Sequence, residues 1–265
     1  MRDAVAIIHF PIRVPAAVAL LICCWFTAPA ADANEPPADP SFQDVLAVEF
    51  SQTPIGPYEQ QQARDQWPGL QWFALRERGE IVSDGAYRDR SLRVGYPAGS
   101  VGPSEGGGQF RVRLPARDEY YLSYMLKFEE GFDFRRGGKL PGLCGGRANT
   151  GGNRPTGDGW SARYMWRGDG RIVVYLYHLD QRGRYGDYQL TQRIRVNTPG
   201  EPDGHLQVWV DGREALHRQD IRYRSVPGAQ VDTFYFSTFH GGNTPDWAPR
   251  TDSFALFDQF RIGIR

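Results

Sequence analysis

Two neighbouring runs of this 265-residue chain hold the residue types that proton transfer needs. In residues 160–167, Trp160, Ala162, Tyr164 and Trp166 fall on one side of a strand, and Ser161, Arg163, Met165 and Arg167 on the other. In residues 171–179, Val173, Tyr175 and Tyr177 stand opposite Ile172, Val174, Leu176 and His178. Gly168-Asp169-Gly170 between the runs reads as a hairpin turn, so the two strands are neighbours with common faces. With the aliphatic side as core, Tyr175 and Tyr177 stand on a concave face beside Ser161 and Arg163, and Lys139 enters from the edge of a glycine-rich loop. A hydroxyl, a guanidinium, two phenols and an ammonium then surround one groove. Phenols can take and return protons, and fixed cations stabilise the negative charge that develops as they do so.

Other chemistries lack their residues. The groove strands offer no carboxylate pair of the kind a glycosidase needs, since Asp169 is in a turn and Asp158 in the loop. No Gly-x-Ser-x-Gly elbow, His-Glu-x-x-His helix or phosphate-binding glycine loop occurs. His178, His205, His217 and His240 lack zinc-site spacing, and Cys144 has no cysteine partner once the leader is set aside. No metal and no organic cofactor is therefore expected. Cys144 reads as a small hydrophobe and His178 as a structural histidine on the core side.

The charge distribution points to the ligand. Lys+Arg and Asp+Glu are 31 each, a net charge of zero that argues against a dedicated nucleic-acid binder. Yet residues 109–171 hold twelve Lys/Arg against seven Asp/Glu, a surplus of five that the rest of the chain cancels. A basic, tyrosine-lined groove suits a polyanion built of rings. Removing the C5 proton of a uronate needs its neighbouring carboxylate neutralised. Cations beside tyrosines can meet that requirement in a β-elimination.

The elements that must position these residues are strands. Leu92, Val94 and Tyr96, then Phe110, Val112 and Leu114, then Leu122, Tyr124, Leu126 and Phe128 each alternate with polar neighbours. Further strand-like runs lie at 160–167, 171–179, 188–196, 205–210, 231–240 and 253–264, and Asp169-Gly170 and Asp211-Gly212 mark hairpins. Only 58–66 resembles a helix. The expected fold is all-β, an antiparallel sandwich or jelly roll, with a closed barrel as the lesser alternative. Residues 141–159, with seven glycines, break the rhythm and read as a long functional loop.

Residues 1–33 read as a signal peptide, with an apolar run at 14–26 and small-x-small sites at Ala28–Ala30 and Ala31–Ala33. A Pro-rich lead-in (34–42) and a single domain (43–265) follow. Export to periplasm or medium is expected, as a monomer without membrane attachment once the leader is cleaved.

Several motifs carry a resemblance. These are Lys139-Leu-Pro-Gly-Leu143, Gly159-Trp-Ser-Ala-Arg163 with Met165-Trp-Arg167, Tyr175-Leu-Tyr177-His178, Phe236-Ser-Thr-Phe-His-Gly-Gly242 and Phe257-Asp-Gln-Phe260. Together with Val94–Ser100 and Gly106–Phe110, they resemble polysaccharide lyase family 14 over about residues 90–264. The resemblance implies a jelly-roll lyase of alginate or glucuronan, cleaving endolytically. It implies Lys139 and Arg163 as carboxylate-neutralising or subsite residues, and Tyr175 and Tyr177 as the tyrosines of proton transfer. Either tyrosine could be the base, and Tyr177 is preferred. Ser161 becomes a groove contact, and Gln109, Arg111, Arg113 and His240 are further candidates for holding the acidic polysaccharide. A carbohydrate-binding sandwich without catalysis and an inactive envelope protein are the competing readings.

Overall fold

A computed structural model describes residues 43–181, 187–189, 193–210 and 213–264. The expected leader, the lead-in and the Asp211-Gly212 turn lie outside the described residues. In chain order the first strands are β1 (Gln43–Val48), β2 (Gly56–Pro57), β3 (Leu70–Ala74), β4 (Gly79–Val82), β5 (Ser91–Tyr96), β6 (Gly108–Arg117), β7 (Glu119–Phe128) and β8 (Gly137–Gly146). Next come β9 (Gly159–Arg167), β10 (Ile172–Tyr177), β11 (Asp187–Gln189) and β12 (Arg193–Arg195). The last are β13 (Gly204–Val210), β14 (Arg213–Ile221), β15 (Val231–His240) and β16 (Ser253–Ile264). A short helix, α1 (Gln60–Gln66), is held at its start by Glu59, whose N–H donates to Gln62 Oε1 at 2.8 Å.

The strands form two antiparallel sheets. A nine-stranded sheet runs β14-β13-β12-β7-β16-β5-β4-β2, with β1 added on β16, and a seven-stranded sheet runs β11-β10-β9-β8-β15-β6-β3. Strands distant in sequence lie side by side, as β7 with β16 and β8 with β15. This is the expected jelly-roll sandwich. The inner faces meet in an aromatic core: Phe110 stacks on Phe236 at 4.5 Å, Phe236 meets Phe257 of the other sheet at 5.2 Å, and Trp67 stacks on Phe234 at 5.3 Å.

Two bulges of the seven-stranded sheet decide what reaches its outer face. Strict alternation would put Lys139 and Leu143 on the same side of β8. The register slips between Leu140 and Gly142, so Lys139 pairs with Met165 and Cys144 with Ser161 on the outside, while Leu140 and Leu143 are both fully buried in the core. Pro141 sits at that slip, where a missing N–H costs the ladder least. The second bulge, between Leu70 and Trp72 of β3, sets Trp72 opposite Arg111 and Phe73 opposite Phe110.

The structure corrects the reading of 141–159 as loop. Residues 137–146 are strand, and the connection to β9 shrinks to 147–158. Glycines permit the strand because side chains would collide there: a Cβ at Gly142 would stand 2.1 Å from the Ala162 carbonyl oxygen.

Candidate active site

The hairpin of β9 and β10 forms with the expected register, Tyr175 opposite Arg163 and Tyr177 opposite Ser161. Gly170, at φ 77°, supplies the left-handed residue its turn needs. Ile172, Val174 and Leu176 face the core, so the two tyrosines are on the outer face of the sheet. β8 and β15 extend that face. Gly142 lies opposite both Arg163 and Tyr235, and Tyr235 opposite Arg111. One row therefore crosses the sheet from Tyr175 through Arg163, Gly142, Tyr235 and Arg111 to Trp72.

At the β10 end the side chains touch. Tyr175 Oη and Tyr177 Oη are 3.1 Å apart, and the rings meet edge-on at 5.2 Å. Tyr177 Oη accepts the N–H of Gly152 at 2.9 Å, and Ser161 Oγ donates to the Asn149 carbonyl at 2.6 Å. The 147–158 loop is thus tied over this corner. A backbone N–H can only donate, so the Gly152 bond leaves the Tyr177 hydroxyl hydrogen free for the bond with Tyr175, in which either oxygen can be the donor. Tyr177 is fully buried, whereas Tyr175 keeps 5% of its surface exposed.

Lys139 is a strand residue, not the loop-edge residue expected. Its Nζ lies 3.6 Å from the Tyr175 ring centroid and donates to Met165 Sδ at 2.9 Å. A thioether is a weak acceptor and a ring face a weak counter-charge. Burial first, then Arg163 and Arg167, hold the ammonium well below its ordinary range. Arg163 is only 2% exposed. Its Nη1 donates to Ser237 Oγ at 3.1 Å, its guanidinium faces the Tyr235 ring at 5.3 Å, and its Nε has no partner. Among the described residues no carboxylate pairs with Lys139, Arg163 or Arg111. Buried cations without anions are costly, and a ligand carboxylate would relieve that cost.

Gln109, Arg111 and Arg113 also face outward, as expected from alternation in β6. Gln109 Nε2 donates to Tyr235 Oη at 2.7 Å and to Ser237 Oγ at 3.0 Å, linking β6 to Arg163. Ser161 is brought to the site but is fully buried, and its hydroxyl fastens the loop instead of facing the groove.

His240 corrects the expectation that it lines the groove. It continues the inward phase of Phe234 and Phe236, stacks against Phe132 at 5.7 Å, and its Nε2 lies 2.7 Å from the Asp133 carbonyl oxygen. Tyr235, Ser237 and the position of Met165 beneath Lys139 are site features that the sequence motifs do not single out. The alternation of 231–240 carried the signal for Tyr235 and Ser237, since both are out of phase with the core phenylalanines. Cys144 packs with Ala148 and Tyr235, and burial pushes its thiol up to about 12. Among the described residues, no three His, Cys, Asp or Glu side chains gather to hold a metal ion.

Comparison with known proteins agrees with this geometry. The profile of Polysaccharide lyase 14 matches residues 85–188 and 184–260. Among curated proteins none matches. The solved alginate lyase Aly36B shares 28% identity over 82% of this chain and 95% of its own, with a TM-score of 0.70. It has also been solved as a lysine-and-tyrosine double mutant bound to an alginate tetrasaccharide, at 27% identity, 82% and 95% coverage and TM-score 0.70. A marine PL-14 alginate lyase from Aplysia kurodai is 23% identical over 83% of this chain and 98% of its own, with a TM-score of 0.70, which speaks for the fold alone. The profile spans most of both sheets and includes Lys139, Arg163, Tyr175, Tyr177 and Tyr235, so this chain belongs to the polysaccharide lyase 14 family.

Proposed function

We propose that the chain cleaves β-1,4-linked polyuronate, alginate or glucuronan, by β-elimination within the chain. The observation that carries this reading is a buried Arg163 and a half-buried Lys139, neither with a counter-anion, beside two coupled phenols. Arg163 binds and neutralises the carboxylate next to C5, which acidifies the C5 proton. Lys139 takes that proton. This departs from a purely neutralising lysine, because burial, with Arg163 and Arg167, lowers the proton affinity of the amine well below its ordinary range and so favours the neutral form a base requires. The C5–H electron pair forms the C4–C5 double bond, the C4–O4 bond breaks, and Tyr175 gives its proton to the departing O4. Tyr177, anchored by Gly152, orients Tyr175. Lysine and tyrosine lie on one face of the sheet, which suits removal of a proton and an oxygen from the same side of the sugar.

The alginate complexes of Aly36B support the substrate class. They were obtained with a lysine and either a tyrosine or a methionine replaced by alanine. The same residue types meet here in Lys139, Met165 and the tyrosine pair. Residues 1–33 support action outside the cytoplasm.

Incubation with polymannuronate, polyguluronate and glucuronan, followed by ultraviolet absorbance of the unsaturated uronate, tests the reaction. Product from at least one polymer is expected, with a rapid fall in viscosity. Retained binding without any unsaturated product would establish a carbohydrate-binding protein instead.

A further inference from the structure

We propose that Trp72 and Arg111 form a second sugar subsite at the β3 edge, holding a uronate of the same polymer chain away from the bond being broken. The inference rests on the lyase reading above and adds where the chain runs.

Three observations carry it. The first is the β3 bulge. Leu70 and Trp72 would share a face in a regular strand, yet Leu70 packs against the core while Trp72 stands opposite Arg111 on the outer face. A bulge of this kind re-aims a side chain, and here it turns an indole out of the core. Trp72 is 37% exposed, one of few large apolar side chains so placed among the described residues.

The second is the state of Arg111. Its guanidinium stands 4.5 Å from the Tyr235 ring centroid and 6.0 Å from that of Trp72. Its Nε is buried without a hydrogen-bond partner. Asp232, which feels Arg113 and then Arg111, accepts hydrogen bonds from Thr233 Oγ1 and the Gly146 N–H, at 2.8 and 3.2 Å, and makes no ion pair with Arg111. Arg111 thus repeats the chemistry of Arg163: a guanidinium against tyrosine, open to a carboxylate.

The third is direction. Tyr175 and Trp72 end one row across six adjacent strands, five strand spacings or ~24 Å apart. That is room for several sugars, and Gly142 leaves the middle of the row without a side chain. An indole face covers the C–H face of a pyranose while a neighbouring guanidinium takes its carboxylate. The polymer therefore lies across the strands, with its reacting bond near Tyr175 and a distal residue on Trp72.

Steady-state kinetics of Trp72→Ala and Arg111→Gln, on long polymer and on trisaccharide, test the subsite. The polymer KM should rise about tenfold, the effect of losing ~1.4 kcal/mol of binding, with kcat little changed. The trisaccharide KM should move much less. Trp209→Ala serves as the control, since that indole is 39% exposed but belongs to the nine-stranded sheet. An unchanged polymer KM in both groove variants, with normal turnover, overturns the subsite and leaves the lyase reading standing. If the wild-type protein forms no unsaturated product, the lyase reading fails instead. Titration of tryptophan fluorescence with a uronate hexasaccharide then decides the subsite: quenching that Trp72→Ala abolishes supports it, and no quenching overturns it.

Discussion

The outer faces of the two sheets treat their arginines in opposite ways. On the nine-stranded sheet, Arg93 bonds Glu80 and Glu129, both at 2.7 Å, Arg193 bonds Glu119 at 2.9 Å, and Arg261 bonds Asp44 at 3.2 Å. On the seven-stranded sheet, Arg163, Arg111 and Lys139 have tyrosine rings, a serine hydroxyl and a thioether, but no carboxylate. Arg93, Arg193 and Arg261 thus spend their charge within the first face, although Arg195 there has only a backbone carbonyl and His205. The second is an incomplete ion-pair network whose missing members are anions. In one fold, then, a face that holds itself together differs from a face that holds a ligand by what its cations touch, more than by how many there are.

The largest effects should come from breaking the proton-transfer cluster. Tyr175→Phe and Lys139→Met should each lower kcat by roughly 10²–10⁴-fold, the range of a lost general acid or base, with circular dichroism unchanged. Tyr177→Phe should also remove most turnover, through loss of the bond that orients Tyr175. Full activity in both tyrosine variants would remove the tyrosines from the mechanism. Arg163→Gln comes next. It keeps a donor for Ser237 but removes the charge, and kcat/KM on polyuronate should fall about 10²–10³-fold.

A third experiment reads the same asymmetry as stability. Burial lowers the proton affinity of Lys139 in the folded state below the ordinary 10.5, so the unfolded chain binds more protons between the two values. Stability should therefore rise as pH climbs through that window, and the penalty should be complete below it. Lys139→Met should make the protein more stable at neutral pH, by about 1–3 kcal/mol, and should flatten that slope. Chemical denaturation across pH checks both, and a destabilised Lys139→Met would show that the ammonium is well compensated. The smallest effect belongs to the closed face. Arg193→Gln, at an ion pair that is partly exposed, should lose no more than about 1 kcal/mol and leave kcat/KM on polyuronate as it was. A loss of activity there comparable to that of Arg163→Gln would erase the distinction between the faces.

Much of the site could be read before the fold was known. The alternation of 160–167 and 171–179 around Gly168-Asp169-Gly170 is enough to put Ser161, Arg163, Tyr175 and Tyr177 on one face, because a short hairpin leaves little freedom of register. His240 was open to the same argument, since it keeps step with Phe234 and Phe236. Lys139 and Trp72 were not, because a bulge in each strand reverses the phase, and a single inserted residue leaves no mark on hydropathy.

The sequence alone determined the strand content, the hairpin at the centre of the site and the local surplus of positive charge. These depend on period-two patterning and residue type, both of which are local. Tertiary structure decided which cations are left without anions. It also turned the expected loop into β8, laid the 147–158 segment over Tyr177, and brought Tyr235 and Arg111 into line with Arg163. Burial and ion pairing depend on neighbours contributed by strands distant in sequence, as β8 beside β15 and β1 beside β16, and no local pattern encodes those.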